Sequence, residues 1–182
     1  MRIVSFFATV AAMVLTIAAF SGRSQSVQGQ ETVLSFTSMA GVDDSFLNNT
    51  VVRGVMGDEL PWDVGTVDGT LTSDGHLHLA VTGVVFSDDP RVPVNLRGIN
   101  DEDEFRAVVS CLTNGPHQGR GRGHGLVETR NIFTDGFAAT RTGDSTIDTF
   151  VTLPNPCVAP IVFVVAGSED KWFTVTGSYE EK

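Results

Sequence analysis

The chain has 182 residues, of which 41% are hydrophobic, and its 22 acidic and 12 basic side chains give a formal net charge of −10. This acidic balance disfavours nucleic acid and anionic membrane surfaces as partners, because both require basic patches. The length suits one domain with a single core. The negative charge favours solubility. The sequence does not identify a binding partner.

The first 30 residues have the layout of a secretory signal peptide followed by a polar leader. Arg2 precedes an uncharged, mostly apolar run at positions 3–20, and small and polar residues follow it. The run is also close to the shortest length that spans a membrane, so an uncleaved N-terminal anchor is the alternative. We expect a secreted or cell-envelope protein whose folded domain covers residues 31–180.

The chain contains two cysteines, Cys111 and Cys157. In an exported protein such a pair predicts a disulfide, and the alternative is two buried free thiols. Closing a loop of about 47 residues would stabilise the fold by roughly 4 kcal/mol.

The clearest local structure is a hairpin in the first half of the chain. Residues 64–72 and 76–85 read as strands, and Asp74-Gly75 between them readily adopts the positive φ of a tight turn. The second strand alternates, with leucines and a valine on the core face. We therefore expect His76 and His78 to point outward.

Residues 104–112 predict a central strand, because both of its alternating faces are largely apolar. Long loops are expected on either side of it, an irregular connection at 87–103 and a glycine-rich loop at 113–130. Other runs that predict strands are 32–37, 51–55, 131–133, 137–139, 147–153, 157–166 and 172–176. Without helical periodicity after residue 30, the fold class is an all-β antiparallel sandwich of eight or nine strands.

Two pairs of histidines are candidate metal ligands. His76 and His78 share one face of a strand, a spacing that lets two imidazoles reach one ion. His117 and His124 flank the glycine-rich loop and would join the site if that loop folded over the hairpin. The alternative is solvated side chains with no cofactor.

The acidic run at 101–104 is a candidate calcium site, with Asp101 and Asp103 as hard oxygen ligands. It lacks the spacing of an EF-hand loop. A solvated charge run that keeps a sheet edge from aggregating explains it equally well.

The sequence gives little support for an enzyme. It has no Gly-x-Ser-x-Gly turn for a nucleophilic serine. Paired carboxylates for glycoside hydrolysis meet in space rather than in sequence, so the sequence offers only loose candidates, Asp58, Glu59, Asp63 and Asp68. Aromatic residues near positions 62 and 172 would form either a sugar platform or part of the core.

Three segments, 105–112 (FRAVVSCL), 156–164 (PCVAPIVFV) and 172–177 (WFTVTG), resemble parts of exported bacterial β-domain proteins of uncharacterised function. The resemblance implies one intact domain with Cys111 paired to Cys157, and no catalytic residues. The expected function is a non-catalytic binding or structural role. The alternative is a secreted metal-dependent binder or hydrolase that uses surface histidines and loop carboxylates.

Overall fold

The computed structural model describes residues 30–48, 50–115 and 126–178, and within them the chain is almost entirely β-structure. A single 3-10 turn occurs in these residues, at Asp44–Phe46. The strands, in chain order, are β1 (Thr32–Phe36), β2 (Met39–Gly41), β3 (Val51–Val52), β4 (Val55–Gly57), β5 (Trp62–Asp63), β6 (Val67–Thr72), β7 (His76–Val81), β8 (Val85–Phe86), β9 (Glu104–Asn114), β10 (Val127–Phe133), β11 (Phe137–Ala138), β12 (Ser145–Phe150), β13 (Val158–Ala166) and β14 (Lys171–Thr176).

Two large sheets form a sandwich-like arrangement, which confirms the predicted fold class. The smaller sheet has the order β1-β6-β7-β12, and the larger follows β10-β9-β13-β14-β4-β3, with β11 added beside β9 and β2 beside β14. Strands β5 and β8 form a separate short ribbon. Nearly all pairings are antiparallel, and the exception is β4 with β14. Buried hydrophobic side chains from both large sheets belong to one core cluster.

The predicted hairpin is confirmed as β6 and β7. Gly75 takes a positive φ of 90° at the turn, and an added Cβ there would lie against the Val151 carbonyl oxygen. Leu77 and Leu79 are fully buried, while His76 and His78 lie on the opposite, partly exposed face. The alternation of the sequence therefore gave the correct inward and outward faces of β7.

Strand β9 is central, as predicted, because β10 and β13 pair with its two edges. The side chains of Ala107, Val108 and Val109 are all fully buried, so both of its faces are covered. The turn between β3 and β4, at Arg53, lies against one of these faces. Arg53 there donates from Nη1 to the carbonyl oxygens of Ser110 and Ala159, at 3.3 and 2.8 Å.

Cys111 and Cys157 form a disulfide, with their Cα atoms 5.0 Å apart. Cys157 directly precedes β13, the strand that pairs with β9. The cross-link therefore joins two neighbouring central strands, as the sequence predicted.

Two predictions about loops and strand number need correction. The predicted 113–130 loop is too long, because β9 continues to Asn114 and β10 already begins at Val127, with Thr129 opposite Leu112. The described residues form 14 strands rather than eight or nine, although eight of them have five residues or more. The additional strands are mostly two or three residues long, too short for an alternating pattern to show in the sequence. The connection at 87–103 contains no strand, as predicted.

The predicted signal peptide falls on residues 1–30, of which only Gln30 is among the described residues. Among the residues that the structure describes, no helix is long and apolar enough to cross a membrane.

Candidate ligand-binding face

The outer side of β7 and β12 collects the most chemically varied exposed side chains of the smaller sheet. The strands pair so that His78 lies opposite Asp148 and His76 opposite Phe150. Directly opposed residues project from the same face of a sheet, so these four side chains are neighbours. We call this group, His76, His78, Asp148 and Phe150, the histidine face.

Asp148 contacts both imidazoles. Its Oδ1 lies 2.8 Å from His76 Nε2, and its Oδ2 lies 3.1 Å from His78 Nδ1. The side chains of His76 and His78 are 30% and 39% exposed. Hydrogen bonds from His76, the larger contribution, and from His78 hold the pKa of the Asp148 carboxyl below its usual range. The carboxylate is thus held in the ionised form by hydrogen bonds from two imidazoles.

Phe150 adds an apolar surface to the same face. Its side chain is 67% exposed, and its ring stacks on the His76 imidazole with centroids 4.8 Å apart and planes inclined by 29°. An exposed phenyl ring at the end of an edge strand contributes little to the core. The sequence pattern did not single out Phe150 as a site residue, although alternation with the buried Ile147 places it on the outward face.

The other two candidate metal ligands, His117 and His124, lie outside the described residues. The four-histidine arrangement therefore stays a prediction, and the structure brings His76 and His78 together with Asp148 instead. The sequence missed Asp148 because the pairing of β7 with β12 joins positions 70 residues apart.

The acidic run at 101–104 is tied to neighbouring loops. Glu102 accepts hydrogen bonds from the backbone N–H and hydroxyl of Ser168, at 3.3 and 2.7 Å, and the Asp103 carbonyl accepts from Ala139 N–H at 2.8 Å. Neither Asp101 nor Asp103 belongs to the close group of three potential metal ligands formed within the described ranges. Calcium binding by these two residues stays a prediction.

That close group consists of Asp58, Glu59 and Glu169, whose ligand atoms lie within 4.8 Å of one another. A cation of the chain already lies among them. Lys171 Nζ donates to both oxygens of Glu59, at 2.6 and 2.7 Å, and lies 3.0 Å from Glu169 Oε2. These contacts raise the pKa of Lys171 to about 12 and lower that of Glu59. The arrangement is a satisfied ion-pair network on the β4–β14 side of the larger sheet.

Asp58 lies beneath this network and is 7% exposed. Trp62 Nε1 donates to its Oδ2 at 2.6 Å. Burial raises the pKa of Asp58 to about 6, and the indole hydrogen bond opposes that rise only in part. A carboxyl with such a pKa resembles a catalytic acid. Its low exposure, and the occupation of neighbouring Glu59 by Lys171, leave little room for a substrate.

The aromatic side chains considered as a sugar platform belong to the core. Trp62, Trp172 and Phe173 are each at most 2% exposed, and the rings of Trp62 and Phe173 stack with centroids 3.8 Å apart. Among the alternatives stated above, the core interpretation is therefore correct.

Comparison with known proteins yields no match to a protein-family model, to a curated protein or to a solved structure. The resemblance to exported bacterial β-domain proteins stays an expectation from the sequence.

Proposed function

We propose that this protein is exported and acts as a non-catalytic binding module. Its histidine face contacts a neutral, hydroxyl-rich ligand such as a polysaccharide. The observation that carries the proposal is the exposed Phe150 ring on the edge strand β12, beside the Asp148 carboxylate of the same strand and the two imidazoles of the fully paired strand β7. An aromatic ring flanked by hydrogen-bonding groups is suited to ligands that have both an apolar face and hydroxyls.

The chemistry of the face supports a sugar more than other ligand classes. The negative π-face of Phe150 attracts the weakly positive C–H groups of a pyranose ring. Asp148 accepts hydrogen bonds, the imidazoles both donate and accept, and Thr70 adds a hydroxyl because it lies opposite His78 on β6. The net charge of −10 opposes polyanionic ligands, which favours a neutral polymer.

A binding role is favoured over catalysis by the state of the reactive groups. The two cysteines are joined in the disulfide, and Asp58 and Glu59 are engaged by Trp62 and Lys171. The disulfide is compatible with an oxidising compartment outside the cytoplasm, which agrees with the signal-peptide pattern of the first 30 residues.

The test is affinity electrophoresis of the protein in gels that contain soluble neutral polysaccharides. We expect at least one of them to retard the wild-type chain. Phe150→Ala should weaken the interaction roughly two- to thirteenfold, because an aromatic contact contributes about 0.5–1.5 kcal/mol. The matched control is Phe133→Ala, which removes a phenylalanine that is 40% exposed on the larger sheet. No retardation by any neutral polysaccharide, or an equal loss in both variants, would contradict the proposal.

A further inference from the structure

We infer that His76, His78 and Asp148 form a site for one divalent first-row transition-metal ion, with Cu²⁺ bound more tightly than Zn²⁺. The site lies on the histidine face but does not depend on the proposed contact with a polysaccharide. It retains two histidines of the four-histidine arrangement, adds Asp148, and does not require His117 or His124.

The donor set matches the chemistry of these ions. Imidazole nitrogen suits zinc and copper, and a carboxylate oxygen completes a three-ligand set that leaves the remaining positions to water. Partial exposure of the rings gives an ion access from solvent. For nitrogen and oxygen ligands, affinity rises towards Cu²⁺ and then falls at Zn²⁺, which sets the expected order.

The ligand atoms of His76, His78 and Asp148 must move closer together to hold one ion. Among the described residues, the group of three whose ligand atoms all lie within 4.8 Å of one another is Asp58, Glu59 and Glu169. Two ligand atoms around a tetrahedral zinc ion lie roughly 3.3 Å apart, given metal–ligand bonds of about 2.0–2.1 Å. The corresponding separations from Asp148 oxygens are now 2.8 Å to His76 Nε2 and 3.1 Å to His78 Nδ1. The Cα atoms of His76 and His78 are about 6.5 Å apart on an extended strand. Metal binding at this site therefore requires rotation of both side chains about χ1 and χ2, so that one nitrogen of each ring reaches an ion held on the carboxylate.

Protons occupy the place that the metal would take. A nitrogen that donates to Asp148 carries a hydrogen, and on metal binding that hydrogen moves to the other ring nitrogen or leaves to solvent. The freed lone pair then binds the ion, so affinity falls as the solution becomes more acidic. The acidic group of Asp58, Glu59 and Glu169 differs in this respect. There a metal would have to displace the ammonium of Lys171, which the chain itself holds in place.

Charge favours the same site. The net charge of −10 raises the local concentration of cations around the protein. Asp148 places a carboxyl group between the imidazoles, 2.8 Å from His76 Nε2 and 3.1 Å from His78 Nδ1. The paired backbones of β6, β7 and β12 hold both histidines and Asp148 in one register.

The experiment uses the mature chain purified without a polyhistidine tag and titrated with Cu²⁺ or Zn²⁺. Calorimetry should give one ion per chain at the site, and electron paramagnetic resonance of the Cu²⁺ form should show coordination by two imidazole nitrogens. The double variant His76→Ala/His78→Ala should lose this signal, and Asp148→Asn should weaken binding at least tenfold while preserving the size of the side chain. Circular dichroism checks that each variant is folded.

Two matched variants separate the alternatives. His117→Ala/His124→Ala should bind the ion as the wild type does, and Phe150→Ala should keep metal binding even though it weakens the proposed polysaccharide contact. The inference is overturned if the wild type binds no ion, if the His76/His78 variant binds normally, or if the His117/His124 variant loses binding. Metal binding without polysaccharide binding would contradict only the proposed function, and the reverse result only the metal site.

Discussion

Asp58 and Asp148 both lie beside aromatic rings that carry N–H groups, yet their pKa values move in opposite directions. Asp58 is buried, and loss of hydration raises its pKa to about 6 despite the hydrogen bond from Trp62. Asp148 is exposed, so hydrogen bonds from His76 and His78 dominate and lower its pKa. Burial therefore decides which of the two carboxyl groups titrates near neutral pH.

We predict that Asp58 makes folding stability fall as pH rises from about 4 to about 6. Its pKa in the folded protein exceeds the ordinary value of 3.8, so in this range the folded state binds more protons than the unfolded state. The penalty is fully present above pH 6. Urea unfolding followed across this range measures the effect, and Asp58→Asn should remove this part of the pH dependence.

Tryptophan fluorescence provides an independent measurement of the same group. Ionisation of a carboxyl 2.6 Å from Trp62 Nε1 should change the emission of the folded protein with a midpoint near pH 6. The neighbouring titratable groups are Glu59, Lys171 and Glu169, of which Glu59 has a lowered and Lys171 a raised pKa. A transition that persists unchanged in Asp58→Asn would show that another group is responsible.

The central element is the pair β9–β13, in which hydrogen bonds and the Cys111–Cys157 disulfide act together. Arg53 adds to this region by donating to carbonyl groups on both strands. We expect the native pairing of β9 and β13 to persist without the disulfide, because these strands also pair through their backbones. The main effect of removing the disulfide is expected in the unfolded state, where a loop of about 47 residues is no longer closed.

We predict that Cys111→Ala/Cys157→Ala lowers the free energy of unfolding by up to about 4 kcal/mol. Chemical denaturation of the double variant and the oxidised wild type measures the difference. The control is the wild type in reductant, which should approach the stability of the variant. Alkylation of two thiols in native, non-reduced protein would contradict the presence of the bond itself.

The histidine face is a property of a second element, the β6–β7–β12 part of the smaller sheet. The β7 strand lies between two partners, and neither of its pairings contains a bulge. A face presented by such a strand is expected to hold its side chains in a fixed register. This rigidity is the reason that both proposals concern β7 rather than the surrounding loops.

Across the whole molecule, the last strand of the described chain meets two strands of its first third in the larger sheet. β14 pairs with β13 and also with β2 and β4, which come from the first third of the domain. Trp172 and Phe173 on β14 are among the largest fully buried side chains. The core is therefore incomplete until the last strand has been added.

We predict that a chain ending at Gly167 does not fold, whereas one ending at Ser178 does. Loss of a buried tryptophan or phenylalanine costs about 3–5 kcal/mol each, and the whole stability of a domain is about 5–15 kcal/mol. Near-ultraviolet circular dichroism and resistance to protease compare the two truncations. A cooperative thermal transition in the shorter chain would contradict the closing role of β14.

The sequence by itself determined the long strands except the first half of β10, the inward and outward faces of β7, the burial of β9 on both sides and the pairing of the two cysteines. These features depend on alternation, apolar content and the number of cysteines, all of which can be read from the sequence without knowing which strands pair. Of the strands of two or three residues, β3 and β11 fall within predicted runs, whereas β2, β5 and β8 were not predicted because their pairing partners rather than their sequences define them.

Only the tertiary structure decided which groups lie beside the histidines and which carboxyl is buried. Asp148 and Phe150 reach His76 and His78 through a register between strands that are some 70 residues apart in sequence. Asp58 acquires its raised pKa from burial beneath a network that includes Lys171, more than a hundred positions away. A strand's own residues specify its faces, but the register with its partner is selected by the packing of the entire core.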